Sequence, residues 1–223
     1  MVGPHQLPAG GGPIPRVIHH VWVGGPIPEP LVACIDTWPR LHPGWDHRVW
    51  RDGDLDWLEN QELFDRADDI TPHHGQLRAD IARYEILHAF GGVYVDCDME
   101  ARRPIDDLLD DGCFAAWEDD EYVNNAVLGS VPGHPLWADL IAAIPDSVLR
   151  NRRFRPNRMT GPHLLTPHAR RHGISIHPSE WFYPYLWSEL DRSAEEFPDA
   201  YAVHHWANRR KRDGVDMPEV ARG

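Results

Sequence analysis

The chain has 223 residues, 42% of them hydrophobic and 10% aromatic, enough to bury one medium-sized core and too few for several domains. Its 22 basic and 35 acidic side chains leave a formal charge of −13, the wrong sign for a nucleic-acid binder that works by neutralising phosphate. Three scattered cysteines (Cys34, Cys97 and Cys113), with no Cys-x-x-Cys pair, argue against a disulfide framework or a structural zinc site. The N-terminal residues lack the basic and apolar regions of a secretory signal, and no apolar run reaches the roughly 18 residues that span a bilayer. The expectation is a cytoplasmic protein without a membrane span. The charge is uneven: residues 1–149 hold 9 arginines against 26 acids, while residues 150–223 hold 13 basic groups against 9 acids. The first part suits a cation and the second an anion.

Residues 1–15, rich in glycine and proline, read as a loose leader. Residues 16–23 are an apolar, β-branched run closed by Gly24-Gly25, the pattern of a buried first strand. A helix over 30–38 is expected to stop at Pro39. A short strand over 47–50 leads into an Asp-rich turn and a helix over 55–64. Between residues 76 and 90, apolar side chains at Leu77, Ile81, Tyr84, Leu87 and Phe90 predict a helix with one buried face. Gly91-Gly92 stops it, and a strand over 93–95 runs into Asp96-Cys97-Asp98. Strands over 113–116 and 126–129, a helix over 135–144, an Arg-dense break over 150–158, a helix over 164–171 and strands over 174–177 and 202–206 complete the chain. Strands alternating with helices predict an α/β fold with a mostly parallel sheet. One domain is expected over 16–208, followed by a basic, loose tail over 209–223.

Three Asp-x-Asp triplets occur (Asp52/Asp54, Asp54/Asp56 and Asp96/Asp98), where 23 aspartates give about two by chance. Context separates them. The first two share a turn with Gly53 and read as solvated or capping residues. Asp96 and Asp98 stand at the carboxyl end of an apolar strand, the edge of an open α/β sheet at which ligands bind. Two carboxylates so placed call for a cation, with Mg²⁺ or Mn²⁺ the usual solution beside a phosphate.

The run Arg78-Ala79-Asp80-Ile81-Ala82-Arg83-Tyr84, followed by Gly91-Gly92-Val93-Tyr94-Val95-Asp96-Cys97-Asp98, resembles the core of the DXD glycosyltransferases of family 32. Three flanking pieces agree with it: Ile14-Pro15-Arg16-Val17-Ile18-His19-His20-Val21-Trp22 before, and Thr160-Gly161-Pro162 and Ala202-Val203-His204-His205-Trp206 after. The group includes initiating mannosyltransferases and α-1,4-galactosyltransferases and, more distantly, clostridial-toxin glucosyltransferases. The resemblance implies a single Rossmann-like GT-A domain that transfers a sugar, with retention, from a UDP- or GDP-sugar (UDP favoured) to an acceptor hydroxyl, using Mn²⁺ or Mg²⁺. The acceptor is left open among saccharide, natural product and protein.

Residue by residue, it implies a metal set of Asp96, Asp98 and His204, and a catalytic set of Asp80, Arg83, Asp96 and Asp98. The implied donor-binding set is Val21, Trp22, Asp80, Arg83, Tyr94, Asp96, Cys97 and Asn125. Within it Trp22 stacks on the base, Asp80 and Arg83 meet sugar hydroxyls, and Tyr94 lines the nucleotide pocket. Strand alternation turns the Cys97 side chain away from the metal. Trp22 read alone is equally a core residue, and Asp80/Arg83 a surface i,i+3 ion pair. Two rival functions stand beside the transferase: a sugar-nucleotide-binding protein without turnover, and an Asp-x-Asp phosphohydrolase. The phosphohydrolase motif normally opens its chain, whereas here it stands at residue 96.

Overall fold

A computed structural model describes residues 12–220. Most of the expected leader lies outside the described residues. In the remainder Ile14 is buried and donates its N–H to the Leu109 carbonyl at 2.8 Å, so this stretch is tied down. The elements, in chain order, are β1 (Val17–Val21), α1 (Glu29–Leu41), β2 (Asp46–Trp50), α2 (Gln61–Asp65), α3 (Ala67–Ile70), α4 (His74–Phe90), β3 (Gly92–Val95) and β4 (Met99–Ala101). There follow β5 (Cys113–Trp117), β6 (Val123–Ser130), α5 (Pro135–Asn151), α6 (Pro156–Met159), α7 (Pro162–His172), β7 (Ser175–His177), β8 (Ala202–His204) and α8 (Ala207–Asp213).

Six strands form one sheet in the order β2-β1-β3-β6-β5-β7, in which β6 alone runs against the others. Both faces are covered, which is why the strands read as near-continuous apolar runs. Val93 and Val95 of β3 pack with Trp38, Val127 and Val203 on one face. Tyr94 packs with Leu77, Ile81 and Trp137 on the other. The expected mostly parallel, helix-flanked sheet is present. Among the described residues no helix is long and apolar enough to cross a membrane.

A second, two-stranded sheet pairs β4 with β8 antiparallel and sets Met99 opposite His204. β4 has only three residues and no alternation, so the sequence did not mark it. It nevertheless brings the C-terminal histidine beside the Asp-x-Asp segment.

Several boundaries differ from expectation, each for a visible reason. α1 runs through Pro39 to Leu41. Trp38 is buried with its indole N–H on the Met99 carbonyl at 2.9 Å, and this anchor outweighs the one backbone bond that Pro39 removes. The helix expected over 55–64 shrinks to α2. Asp54 accepts the Arg51 N–H at 2.8 Å and holds a tight turn instead, side chain competing with helix. α4 buries every residue from Asp80 to Leu87 rather than one face, because α5 covers its far side and its polar residues find partners. Glu85, for example, accepts the Asn60 N–H at 2.9 Å at the start of α2. α5 extends to Asn151, into the expected Arg-dense break. The expected loose tail contains α8, where buried Arg210 donates to the His205 carbonyl at 2.7 Å.

The turn from α4 into β3 depends on its two glycines. Gly92 has φ +89°, and a Cβ there would lie 2.5 Å from Val17 Cγ1 and 2.7 Å from the Val17 carbonyl oxygen. Gly92→Ala therefore combines left-handed strain with a clash against β1 and is expected to destabilise by roughly 2–5 kcal/mol. Gly112→Ala, with φ +69° but open space around it, should cost only about 1 kcal/mol. Urea-unfolding midpoints of the two variants check this, and equal losses would contradict the clash.

Candidate functional site

Alternation along β3 sets the direction of the first aspartate. Tyr94 and Asp96 are two residues apart and share a face, and the Tyr94 hydroxyl donates to Asp96 Oδ1 at 2.7 Å. The helix beneath supplies Asp80 and Arg83 from one face, three residues apart. The Arg83 guanidinium lies 4.5 Å from the centre of the Tyr94 ring. Its Nη2 sits 3.0 Å from Asp80 Oδ1 and 3.1 Å from Asp96 Oδ1, and its Nη1 donates to the Asn125 carbonyl at 2.5 Å. One cation thus joins two carboxylates and β6.

Asp80 and Arg83 are 1% and 2% exposed, so they are not the surface ion pair that their spacing alone allows. Asp80 Oδ1 also accepts from Asn125 Nδ2 at 2.9 Å, and Oδ2 accepts from the Thr160 hydroxyl at 2.8 Å. Burial raises its pKa to about 6 against the opposing pull of Arg83, Thr160 and Asn125. Every oxygen of Asp80 is engaged by protein. The sequence implies that Asp80 and Arg83 meet sugar hydroxyls; in the structure Asp80, Arg83 and Asn125 also form a frame behind Asp96.

The second aspartate is held from the C-terminal side. Asp98 Oδ1 lies 3.1 Å from His204 Nε2, and Oδ2 accepts the Ala207 N–H at 2.8 Å. That backbone donor is aimed by Trp206, whose φ of 55° is left-handed for a non-glycine residue. The Trp206 ring packs 4.0 Å from the His204 ring, and its indole N–H bonds the Tyr185 carbonyl at 3.0 Å. Burial pushes the Asp98 carboxyl up, but His204 and the Ala207 N–H outweigh it and hold it at about 2. Burial likewise works against a charged His204, yet Asp98, with Asp96 and Glu118 behind it, keeps its pKa above the ordinary histidine value. His205 faces the other way: its Nε2 meets Glu100 at 2.8 Å and its Nδ1 the Tyr185 hydroxyl at 3.0 Å.

One ligand atom each from Asp96, Asp98 and His204 lies within 4.8 Å of the others. A cation with oxygen ligands near 2.1 Å spans about 4.2 Å across its shell, so a few tenths of an ångström of closure would bring the three onto one ion. His204 Nδ1 is buried, with no hydrogen-bond partner among the described residues. Two carboxylates and an imidazole suit Mg²⁺ or Mn²⁺, so the residues fit the metal that the motif implies.

The remaining implied residues surround this cluster. Trp22 follows β1, half-buried, and its buried indole N–H has no partner among the described residues. Val21 is buried, and its carbonyl accepts from Cys97 Sγ at 3.5 Å, so Cys97 turns into β1 as alternation expects. Tyr94 is buried beneath Asp96 and braces that carboxylate rather than lining an open pocket. The decoy Asp52 binds the Gly24 N–H at 3.0 Å from an exposed turn. Sequence reasoning assigned no role to the Ala207 N–H, a backbone group without a side-chain signature, or to Glu118, whose Oε2 accepts from Asn124 Nδ2 at 2.7 Å.

Residues 28–115 match the family described as the glycosyltransferase sugar-binding region containing DXD motif. The chain carries this sugar-binding region. The matched span runs from the start of α1 into β5 and includes Asp80, Arg83, Asp96 and Asp98, while Trp22, Asn125 and His204 lie outside it. Among curated proteins, the chain is 29% identical over 200 residues to inositol phosphoceramide mannosyltransferase 3 of Schizosaccharomyces pombe, covering 86% of this chain and 49% of the relative. The chain spans about half the length, or less, of the curated relatives that head the comparison. Among solved structures, the PaToxG glycosyltransferase superposes with a TM-score of 0.58 at 15% identity, over 94% of this chain and 81% of that one. The UDP-bound glycosyltransferase domain of the YGT toxin gives 0.50 at 11% identity, over 93% and 87%. These likenesses show the fold, which is GT-A.

Proposed function

We propose that the chain is a metal-dependent retaining glycosyltransferase that moves a sugar from a nucleoside-diphosphate sugar to an acceptor hydroxyl. The observation that carries this reading is the convergence of Asp96, Asp98 and His204 at the carboxyl end of β3, within a matched sugar-binding region. Asp98 and His204 hold the cation, with Asp96 on the donor side. A divalent ion bound there would neutralise the donor diphosphate and stabilise the leaving nucleoside diphosphate. Arg83 keeps Asp96 in place and Asp80 keeps Arg83 in place, so that the carboxylates do not rearrange as charge develops. Trp22, half-buried just after β1, is the base-stacking residue. Among the described residues around the cluster none stands out as a covalent nucleophile, which favours front-face attack with the leaving phosphate taking the proton. The UDP-bound toxin domain of like fold supports UDP over GDP as the first donor to test. The fission-yeast relative acts, by its name, on inositol phosphoceramide. That acceptor is not carried over here, because the chain spans only half that protein.

Hydrolysis of UDP- and GDP-sugars with Mn²⁺ and with EDTA tests the reading. Metal-dependent release of the nucleoside diphosphate is expected. Inorganic phosphate would indicate a phosphohydrolase, and no product with retained binding a non-catalytic binder. Trp22→Ala should weaken nucleotide binding by roughly 1–3 kcal/mol, the scale of base–aromatic stacking, and Trp22→Phe should recover much of it. If both variants unfold, Trp22 is core.

A further inference from the structure

Beside the carboxylate–histidine cluster opens a cavity of about 660 Å³, between the end of β5 and the segment 178–192. Tyr183, on its wall, has its ring edge-on 5.8 Å from the His204 ring. Glu118, also on the wall, is one of the charges acting on His204. The cavity therefore adjoins the centre from which a sugar would be transferred.

Its polar lining is one-sided. Glu118, Asp119, Asp120, Glu180 and Glu189 face a single guanidinium, Arg192. That guanidinium is already engaged, at 3.0 Å from Glu195 and 3.5 Å from Glu189. The Ser179 hydroxyl is engaged too, donating to the Glu118 carbonyl at 2.9 Å. Glu118 is anchored through Oε2 alone, and among the described residues nothing holds Asp120 or Glu180. The charged side chains of the wall are nearly all hydrogen-bond acceptors, with the Trp117 indole N–H as a neutral donor among them. A molecule that carries hydroxyl or ammonium donors complements those carboxylates. A phosphate would bring further acceptors and further negative charge to an already acidic wall, a like-charge juxtaposition that rejects a wrong partner. Trp117, partly exposed on the wall, adds the apolar face against which a sugar ring packs.

Resting on the transferase reading above, we propose that this cavity is the acceptor subsite and that Glu118, Asp120 and Glu180 select a neutral or amine-bearing saccharide and exclude a phosphorylated one. Saturation-transfer NMR on the full chain with Mg²⁺ tests it, using methyl glycosides of glucose, mannose and galactose, their 2-amino analogues and their 6-phosphates. Amino sugars should bind best and 6-phosphates at least about tenfold more weakly, the scale on which like-charge juxtaposition discriminates. The gap should narrow between about 20 mM and about 500 mM salt as screening shortens. Asp120→Lys with Glu180→Lys should reverse the order in favour of the 6-phosphates, and a thermal melt confirms that the variant is folded. Equal binding of 6-phosphates and amino sugars, no binding of any of these sugars, or an order unchanged in the double-lysine variant would overturn the proposal. Failure of donor hydrolysis with the sugar order intact would remove the transferase reading and leave a saccharide site. The reverse result would remove this proposal and leave the transferase reading standing.

Discussion

Asp98→Asn is expected to lower metal-dependent turnover by at least about 100-fold, the scale of losing one key electrostatic group, while the protein stays folded. The amide keeps an oxygen for the Ala207 N–H, now 2.8 Å from Oδ2, so the turn at Trp206 retains its backbone anchor. What disappears is the negative charge. That charge faces His204 at 3.1 Å and supplies one of the three ligand atoms that converge within 4.8 Å. His204→Ala should also raise the Mn²⁺ concentration needed for half-maximal activity. His205→Ala should mainly lower stability, because His205 is buried against Glu100 and Tyr185. Asp52→Asn is the control: it sits in the same kind of triplet but caps an exposed turn at Gly24, and little change is expected. Mn²⁺ titrations of the four variants decide the matter. Equal losses from Asp98→Asn and Asp52→Asn would sink the assignment.

The contrast between those two aspartates shows what a sequence can carry. The strand before Asp96, the helix before that strand and the two glycines between them are local signals, and each lies where periodicity puts it. The face of Asp96 follows from alternation with Tyr94, and the opposite faces of His204 and His205 follow in the same way. Pairing over long separations was not legible. Nothing in Met99–Ala101 marks a strand, yet its ladder with β8 is what brings His204 across 106 residues to Asp98. The burial of Asp80 and Arg83 was also hidden, because i,i+3 spacing is the same for a surface pair and for a buried frame. Only the covering of α4 by α5, together with Thr160 and Asn125 closing on Asp80, separates the two. Engagement of both Asp80 oxygens adds a positioning role to the implied sugar contact.

That frame should show the largest stability effect in the site. Arg83 is the one guanidinium placed between Asp80 and Asp96, at 3.0 and 3.1 Å. Arg83→Met leaves the buried Asp80 and the half-buried Asp96 with their shared counter-charge gone. Removing one partner of such a buried pair typically costs roughly 3–5 kcal/mol, whereas removing both partners together is often close to neutral. The double variant Arg83→Met/Asp80→Asn should therefore recover a large part of the loss, a coupling that a double-mutant cycle in urea reads directly. Arg83→Lys keeps the charge, but its single nitrogen cannot occupy both the Nη2 position between the carboxylates and the Nη1 position at the Asn125 carbonyl, so an intermediate loss of about 1–3 kcal/mol is expected. The pH dependence has a definite sign. Burial holds the Asp80 pKa at about 6, above its ordinary value of 3.8, so the folded state binds more protons than the unfolded one in that window. The resulting stability is complete at low pH and is lost as pH rises through 6. Without Arg83 the carboxylate is harder to ionise and the window moves upward. In metal-free buffer the deficit of Arg83→Met relative to wild type should thus be larger at about pH 8 than at about pH 5, where protonation relieves the buried charge. A loss below about 1 kcal/mol, or the same deficit at both pH values, would mean that Arg83 does not hold the two aspartates.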